Sequence, residues 1–448
     1  MRGIRFIAAL AALAGAASAA QAADPFLRRT PAVRAVERVG PAVVNVTTEQ
    51  IVSVQNPFGA FAGDPFFERF FRDFFEPGLP SQRTQSSLGS GVLIDGQRHV
   101  LTNEHVVARA SRIRVTLADG RDFDAVVVGA DPNNDLAVLN VETDEPLPWI
   151  PPGRSDDVMP GEPVIAIGNP FGLSNTVTTG VISAVDRSLR TDGRVYHGFL
   201  QTDASINPGN SGGPLLNAEG ELIAINTAIY QGAEGIGFAI PIDVARRVVA
   251  ELLEHGQVAP VWLGLQFQEL DASLRQVLGL PGRAGGALVT QVHEGGPGDR
   301  AGVRRGDVVT RVDGHSVSGP REFYELLNRS TQGQALGLTL LRDGATTTAR
   351  VVAEEIPGSL VPDLASQLLG LALEAHPGGG YTVTAVRPGS GAAQIGLQAG
   401  DRILQINGQS LADDEALERS VLDLRGRTRA MIVVERGRGR YHVTIPLT

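Results

Sequence analysis

The chain has 448 residues, 39 of them basic and 49 acidic, and a formal net charge of −10; this length is enough for about three domains. It contains neither cysteine nor lysine, which excludes disulfide scaffolds, thiolate zinc sites, cysteine nucleophiles, Ser–Lys dyads and Schiff bases. The acidic balance also argues against a nucleic-acid partner, because nucleic-acid binding requires clustered positive charge.

The N-terminal segment has the pattern of an export signal. Arg2 and Arg5 precede an apolar stretch over residues 6–17, and Ala20-Gln21-Ala22 supplies a small-residue cleavage pattern. The alternative is a membrane anchor, but the stretch is shorter than the ~20 apolar residues of a spanning helix. We therefore expect a signal peptide over residues 1–22, cleaved near Ala22, and a mature protein outside the cytoplasm.

The region from Pro31 to Ala245 is rich in short apolar runs separated by Gly, Asn and Asp-Gly turn signals. This pattern predicts a mainly β sandwich or barrel. An exception lies between Pro65 and Pro77, where pairs of Phe recur every four residues and predict an aromatic stripe on one helix face. A second helix is predicted over 243–255, ending at Gly256.

The C-terminal part contains an internal repeat with an offset of 94 residues, without gaps. The matching pairs are Gly285-Gly286 with Gly379-Gly380, Val289-Thr290 with Val383-Thr384, Val292 with Val386, Gly302 with Gly396, Gly306-Asp307 with Gly400-Asp401, and Gly314 with Gly408. Glycines shared at fixed positions indicate shared backbone turns. We therefore predict two copies of one small domain, joined by a linker near residues 357–362.

A lone serine, Ser211, stands among glycines in the segment from Asn207 to Leu215. Glycines permit a tight, exposed turn that presents the hydroxyl, while the N–H groups of Gly209 and Ser211 point to one spot. Such a pair forms an oxyanion hole, which stabilises the negative charge that develops in acyl transfer. The alternative is an ordinary Gly-Ser loop.

A serine nucleophile needs a general base. Because the chain has neither Lys nor Cys, the candidates are its eight histidines. His105 is the best candidate because it follows the strand-like segment 100–102, whereas the other seven lie in turn, helix-end or repeat contexts. Asp135 best fits the acid that orients the base, because it leaves a turn and enters an apolar strand. Asp131 and Asp203 are its competitors.

These segments together resemble the HtrA (Deg/Do) serine proteases over nearly all of the mature chain. The resemblance rests on residues 101–107, 135–139, 168–172, 201–204 and 209–213. It implies a chymotrypsin-like double β-barrel followed by two PDZ domains, with domains at 23–258, 259–356 and 363–448. It also implies a triad of His105, Asp135 and Ser211, with the oxyanion hole at Gly209, Asn210 and Ser211.

The resemblance further implies how activity is controlled. Asn210 is a neutral amide where digestive relatives carry the Asp that pairs with a new N-terminus, so activation is expected from loop ordering through peptide binding and oligomer contacts. Arg187 resembles the sensor-loop arginine that reports PDZ occupancy, with a surface ion pair as the alternative. The Phe-rich segment resembles a regulatory loop over about residues 50–87, with a core or membrane-surface helix as the alternative.

The peptide and substrate sites are also implied by the resemblance. The substrate pocket would accept small aliphatic residues and is expected at Ile206, Asn226, Thr227, Ala228, Ile229 and Tyr230. The first PDZ domain would capture peptide carboxylates at Trp262, Leu263, Gly264 and Leu265. Family members usually have Arg-Gly shortly before this loop, but this chain has Pro260-Val261. The second copy has Leu368-Leu369-Gly370-Leu371 at the corresponding position, expected to serve interdomain or intersubunit contact.

These features predict an exported, periplasmic, ATP-independent serine endopeptidase that degrades misfolded proteins. Its expected partners are unfolded proteins, C-terminal peptides and copies of itself in trimers or larger cages. No cofactor or metal is expected. The alternative is a PDZ-bearing chaperone or binding protein in which the barrel is only a scaffold.

Overall fold

The computed structural model describes residues 28–52, 83–169, 175–191, 194–207, 209–229, 235–277 and 285–447. The export signal, the Phe-rich segment at 66–75, most of the expected regulatory loop and Tyr230 lie outside the described residues. Within these residues, no helix is both long enough and apolar enough to cross a membrane.

The first part of the chain forms a closed six-stranded barrel preceded by helix α1 (Pro31–Val39) and a 3-10 turn (Gly40–Ala42). Its strands are β1 (Val43–Val52), β2 (Arg83–Leu93), β3 (His99–Thr102), β4 (Arg112–Leu117), β5 (Asp122–Asp131) and β6 (Leu136–Val141), and helix α2 (Glu104–Val107) follows β3. The strands pair in the order β1-β2-β3-β6-β5-β4. Alternating apolar side chains such as Val44, Val46 and Val115 fill the interior, which is the reason for the strand pattern in the sequence.

A second closed barrel follows directly. Its strands are β7 (Pro163–Gly168), β8 (Thr176–Thr191), β9 (Arg194–Thr202), β10 (Pro214–Asn217), β11 (Leu222–Ile229) and β12 (Gly237–Pro241), and they pair in the order β10-β11-β12-β9-β8-β7. Helix α3 (Ile242–His255) closes the region, close to its predicted bounds. It ends at Gly256, whose φ of +72° suits a residue without a side chain.

The two repeats fold into sheets of the same topology. The first contains β13 (Val261–Trp262), β14 (Leu265–Glu269), α4 (Ala272–Val277), β15 (Ala287–Val292), α5 (Pro297–Arg300), β16 (Val308–Val312), β17 (His315–Ser316), α6 (Pro320–Leu327), β18 (Ala335–Arg342), β19 (Ala345–Val352) and β20 (Glu354–Glu355). The second contains α7 (Val361–Leu369), β21 (Leu371–Ala375), β22 (Tyr381–Val386), α8 (Gly391–Gln394), β23 (Arg402–Ile406), β24 (Gln409–Ser410), α9 (Asp414–Leu422), β25 (Arg429–Arg436) and β26 (Gly439–Pro446).

The strand orders are β14-β15-β16-β18-β19 and β21-β22-β23-β25-β26. The predicted linker between the repeats is short, because a 3-10 turn occupies Gly358–Leu360 and α7 already begins at Val361. The sequence pattern missed this helix start because Pro362 near its N-terminus is compatible with a first helical turn as well as with a linker. The mainly β architecture of two barrels and two small repeat domains is confirmed.

Candidate active site

His105 and Asp135 meet at the end of the first barrel. Strand β3 ends at Thr102, and α2 then carries His105, while Asp135 lies in the turn between β5 and β6 with a φ of +54°. His105 Nδ1 lies 2.8 Å from Asp135 Oδ1 and 2.9 Å from Oδ2, and the His105 backbone N–H donates to Oδ1 at 3.1 Å. The side chain of Asn103 donates to the Asp135 carbonyl at 2.9 Å and so fixes the turn.

These contacts define the state of the imidazole. An ionised carboxylate only accepts hydrogen bonds, so Nδ1 carries the proton and Nε2 is the basic nitrogen of the neutral ring. Burial lowers the pKa of His105, but the charge of Asp135, its hydrogen bond and the charge of Glu104 together raise that pKa above the ordinary value of 6.5. The geometry therefore suits a general base whose protonated form is stabilised by the adjacent carboxylate.

Ser211 lies in a tight turn between β9 and β10 of the second barrel. Gly209 has a φ of +97°, a conformation that favours glycine over residues with a side chain. Ser90 on β2 holds the turn from the first barrel: its hydroxyl donates to the Gly209 carbonyl at 2.5 Å, and its N–H donates to the Ser211 carbonyl at 2.8 Å. The serine turn is thus held between the two barrels.

The turn limits which backbone groups can bind an oxyanion. The Asn210 N–H donates to the Asn207 carbonyl at 2.9 Å. In this conformation the N–H of Asn210, which was predicted to belong to the oxyanion hole, is used within the turn. The N–H groups of Gly209 and Ser211 are the candidates for that role. The buried side chain of Asn210 donates to the Ser205 carbonyl at 3.3 Å.

Thr227 links the carboxylate to the serine. Its hydroxyl donates to Asp135 Oδ2 at 2.5 Å, and its carbonyl accepts the Ser211 hydroxyl at 2.9 Å. Because a hydroxyl has one hydrogen, this bond and donation from Ser211 to His105 exclude each other. The structure therefore brings the three predicted residues together around Thr227, with the serine hydroxyl in a resting position.

The other residues predicted to line the substrate pocket have different surroundings. Asn226 is fully buried, and its side chain donates to the Pro214 carbonyl at 3.0 Å, so it supports β10 and β11 and does not line an open pocket. Ile206 is buried in the apolar interior of the second barrel. Ala228 and Ile229 end strand β11. Thr227 was predicted for the pocket and Ser90 was not predicted, because each makes its contacts partly with or through backbone carbonyls, which no motif records.

The barrels contact the first repeat next to these residues. Arg329, just after α6, donates to the His197 carbonyl at 2.6 Å and to the Asn134 side chain at 3.3 Å. Asp186 pairs with His315 of the first repeat at 3.2 Å. The neighbouring Arg187 is exposed and donates to Gln201 within the second barrel at 3.0 Å. The contact between domains therefore adjoins both Asp135 and the predicted sensor arginine.

The predicted carboxylate-binding loop of the first repeat faces the second repeat. Trp262 packs with Ile356, Val361 and Leu422 in an apolar cluster that joins the two repeats. The side-chain amide of Gln266 on β14 donates to the side-chain carbonyl of Gln367 on α7 at 2.9 Å. The loop thus lies at an interface between the two repeats.

Comparisons with protein families agree with this architecture. Residues 89–225 match the trypsin-like peptidase domain, and residues 261–352 and 382–436 each match a PDZ domain. The fold and these matches define a serine endopeptidase with a trypsin-like double barrel and two PDZ domains.

Comparisons with individual proteins identify the family. The chain is 38% identical over 440 residues to a probable periplasmic serine endoprotease DegP-like of Halomonas elongata, covering 92% of each chain. It is also 38% identical over 421 residues to a protein of the same description from Chlamydia pneumoniae, covering 88% of this chain and 83% of that protein. The chain therefore belongs to the family of DegP-like, HtrA-type serine endoproteases.

Solved structures of HtrA-type proteases are also similar. Two structures of the HtrA-type protease AlgW, each with a decapeptide, superpose with TM-scores of 0.52 and 0.50 at 40% and 42% identity. They cover 72% of this chain and 97% and 98% of their own chains.

Proposed function

We propose that this chain is an exported, ATP-independent serine endopeptidase of the periplasm that degrades misfolded or unfolded proteins. The observation that carries the proposal is the set of hydrogen bonds joining His105 to Asp135 and, through Thr227, to Ser211. A barrel used only as a scaffold has no need for this arrangement. The periplasmic description of the curated relatives and the signal-like N-terminus support the location.

The roles of the residues follow from their chemistry. Ser211 Oγ attacks the peptide carbonyl, forming a C–O bond, while its proton passes to Nε2 of His105. Asp135 stabilises the resulting imidazolium, and the N–H groups of Gly209 and Ser211 stabilise the oxyanion. His105 returns the proton to the leaving amine as the C–N bond breaks. Water then attacks the acyl-enzyme by the same route and regenerates Ser211.

Activation in this proposal requires the Ser211 hydroxyl to leave the Thr227 carbonyl and turn toward His105. Peptide binding to the first PDZ domain and contacts within a homotrimer or larger cage would favour that change. Arg187 is proposed to transmit peptide occupancy, because it adjoins Asp186, which contacts His315 of the first PDZ domain. The decapeptides bound to AlgW support a peptide-binding role for this chain.

The test is cleavage of a reduced, unfolded model substrate by the mature chain and by Ser211→Ala, with and without an apolar peptide that has a free C-terminus. Reductant is harmless to the enzyme because the chain has no cysteine. We expect the native chain alone to cleave, faster with peptide, and the Ser211→Ala rate to fall by roughly 10⁶-fold.

Further arms test the finer parts of the proposal. Arg187→Ala is expected to keep basal cleavage and lose the stimulation by peptide. Light scattering should show a trimer or a multiple of it. Equal cleavage by native and Ser211→Ala chains would contradict the assignment of the nucleophile. Absence of cleavage by either chain, with retention of an unfolded client, would favour the chaperone alternative.

A further inference from the structure

A cavity of about 240 Å³ lies between the two PDZ domains, at the predicted carboxylate-binding loop of the first. Its lining includes Trp262, Gly264 and Leu265 from the first PDZ domain and Asp363, Leu364 and Arg425 from the second, so that it holds one acidic group and one guanidinium. Pockets for small molecules usually measure ~300–1,000 Å³. This cavity is slightly smaller than that range, a size that suits the end of a peptide.

The loop itself provides no positive charge to a carboxylate. The segment from Pro260 to Leu265 contains no basic residue. The guanidinium of Arg425 nevertheless lines the same cavity, although it belongs to the loop after α9 of the second PDZ domain. It donates to the Val261 carbonyl at 3.0 Å and lies 5.2 Å from the ring centre of Tyr324 on α6. Arg425 thus contacts the first PDZ domain both at Val261 and at Tyr324.

Arg425 is buried with no anionic partner in contact. Its residue exposure is 6%, and its hydrogen bonds go to the carbonyls of Val261 and Leu422. Among the residues that the structure describes, no carboxylate lies within ion-pair distance of its guanidinium. Burial lowers its pKa, and the attraction of Tyr324 and of the more distant Asp423 only partly opposes this shift. A buried charge is costly without a charged partner. A carboxylate entering this cavity would supply that partner.

We propose that Arg425 binds the C-terminal carboxylate of a peptide held by the first PDZ domain, so that this peptide site is built from both PDZ domains. The inference rests on the proposed peptide-binding function of the first domain. Backbone N–H groups of the loop would donate hydrogen bonds to one carboxylate oxygen, and the planar guanidinium would donate charge-assisted hydrogen bonds to the other. The apolar lining formed by Leu265 and Leu364 selects an apolar terminal side chain.

The test measures binding by the full chain carrying Ser211→Ala, which prevents cleavage. Two fluorescein-labelled peptides with apolar C-terminal residues differ only in ending as a free acid or as an amide. Arg425→Gln removes the charge and keeps a polar side chain. Arg427→Gln is the matched control, because Arg427 is exposed two residues away and donates to the Asp423 carbonyl.

We expect the unsubstituted site to prefer the acid over the amide by roughly tenfold or more, as charge-assisted bonds predict. Arg425→Gln should weaken acid binding until the two peptides bind alike, whereas Arg427→Gln should keep the preference. An unchanged preference in Arg425→Gln overturns the proposal. Tighter binding of both peptides also overturns it, because Arg425 would then block the groove instead of serving the ligand.

A second measurement leaves Arg425 in place and therefore does not depend on the folding of a variant. Hydrogen exchange of the Ser211→Ala chain should show protection of residues 421–428 by the acid peptide and not by the amide. Equal protection by both peptides contradicts the proposal. If neither peptide binds the unsubstituted site at all, the peptide-binding function itself fails, which is distinguishable from a bound acid peptide that ignores Arg425.

Discussion

Thr227 lies between Asp135 and Ser211 and contacts each of them with a different atom. Its hydroxyl donates to Asp135, and its carbonyl accepts the hydroxyl of Ser211. A side-chain substitution removes only the first bond, because the carbonyl belongs to the backbone. The two functions of this residue can therefore be separated experimentally.

We predict that Thr227→Val lowers kcat about tenfold without unfolding the chain, since it removes one hydrogen bond to a charged group. The Asp135 carboxylate then has fewer donors and attracts the His105 imidazolium more strongly, which raises the pKa of His105 further. The acidic limb of the kcat/KM profile should accordingly move to higher pH.

The measurement is a pH profile of peptide cleavage. Thr310→Val serves as the matched control, because the Thr310 hydroxyl donates to a backbone carbonyl in the first PDZ domain at 3.2 Å. An unshifted acidic limb in Thr227→Val would show that the Thr227 hydroxyl does not influence His105.

The candidate catalytic residues that act through their own side chains could be predicted from the sequence. Ser211, His105 and Asp135 stand in recognisable segments, and the structure brings them together. Ser90 was not predicted, and Thr227 was predicted only for the pocket, because both make contacts between the barrels that involve backbone atoms. Asn226 was predicted to line the pocket, and the structure buries its side chain, which donates to the Pro214 carbonyl.

The two PDZ domains repeat one ion pair with the same offset as their glycines. Asp307 receives Arg342, and Asp401 receives Arg436, each through two hydrogen bonds of 2.5–2.7 Å. Both carboxylates are almost fully buried, whereas both guanidinium groups are partly exposed. The same arginines also donate to the carbonyls of Gly302 and Gly396. The pair therefore joins a strand to a turn in each domain.

We predict that Asp307→Asn and Asp401→Asn each destabilise their own domain by about 1–3 kcal/mol, because a buried charge-assisted pair is lost but its arginine stays partly solvated. The hydrogen bond from Arg436 lowers the pKa of Asp401. Its contribution is therefore present at neutral pH and is lost as the pH falls through that lowered pKa.

Urea unfolding followed by hydrogen exchange of each domain measures this effect. Asp144→Asn is the control, because Asp144 forms an exposed pair with Arg98 at 3.8 Å and should change stability little. Equal effects of all three substitutions would contradict the prediction.

The sequence repeat identified the aspartates of these pairs, because each follows a glycine that the two copies share. Their arginine partners were not predicted, because they do not stand beside a shared glycine.

Across the whole molecule, the barrels and the first PDZ domain meet at two histidines. The rings of His197 and His315 lie 4.8 Å apart, with Asp186 beside His315 and Arg329 beside His197. Burial, followed by the positive charges of His315 and Arg329, lowers the pKa of His197 to about 4. The attraction of Glu322 only partly opposes this shift.

We predict that acid weakens this contact. The pKa of His197 is lower in the docked chain than in an unfolded one, so its contribution is complete above about pH 6.5 and is lost as the pH falls toward about 4. Hydrogen exchange over residues 321–331, corrected for intrinsic rates, should increase between pH 7 and pH 5. His197→Asn should remove that increase, and His442→Asn, at an exposed position in the second PDZ domain, should not.

Exchange that stays constant with pH in the native chain would contradict this prediction.

The domain order was predictable from the sequence because each domain carries its own motifs. The contacts between the domains were not predictable from the sequence. The residues that form them have no distinguishing neighbours in the chain, and they come into contact with another domain only in the folded protein; they include Arg329, His315 and Arg425.

The hydrogen bond from the Ser211 hydroxyl to the Thr227 carbonyl also determines how firmly this serine is held away from His105. A neutral hydrogen bond contributes about 1 kcal/mol, which favours one side-chain rotamer over another by only about fivefold. Thermal motion therefore rotates this side chain within the lifetime of an encounter with substrate, so this hydrogen bond alone delays cleavage very little. In the proposed activation, stronger suppression of cleavage would therefore require several elements that reorganise together.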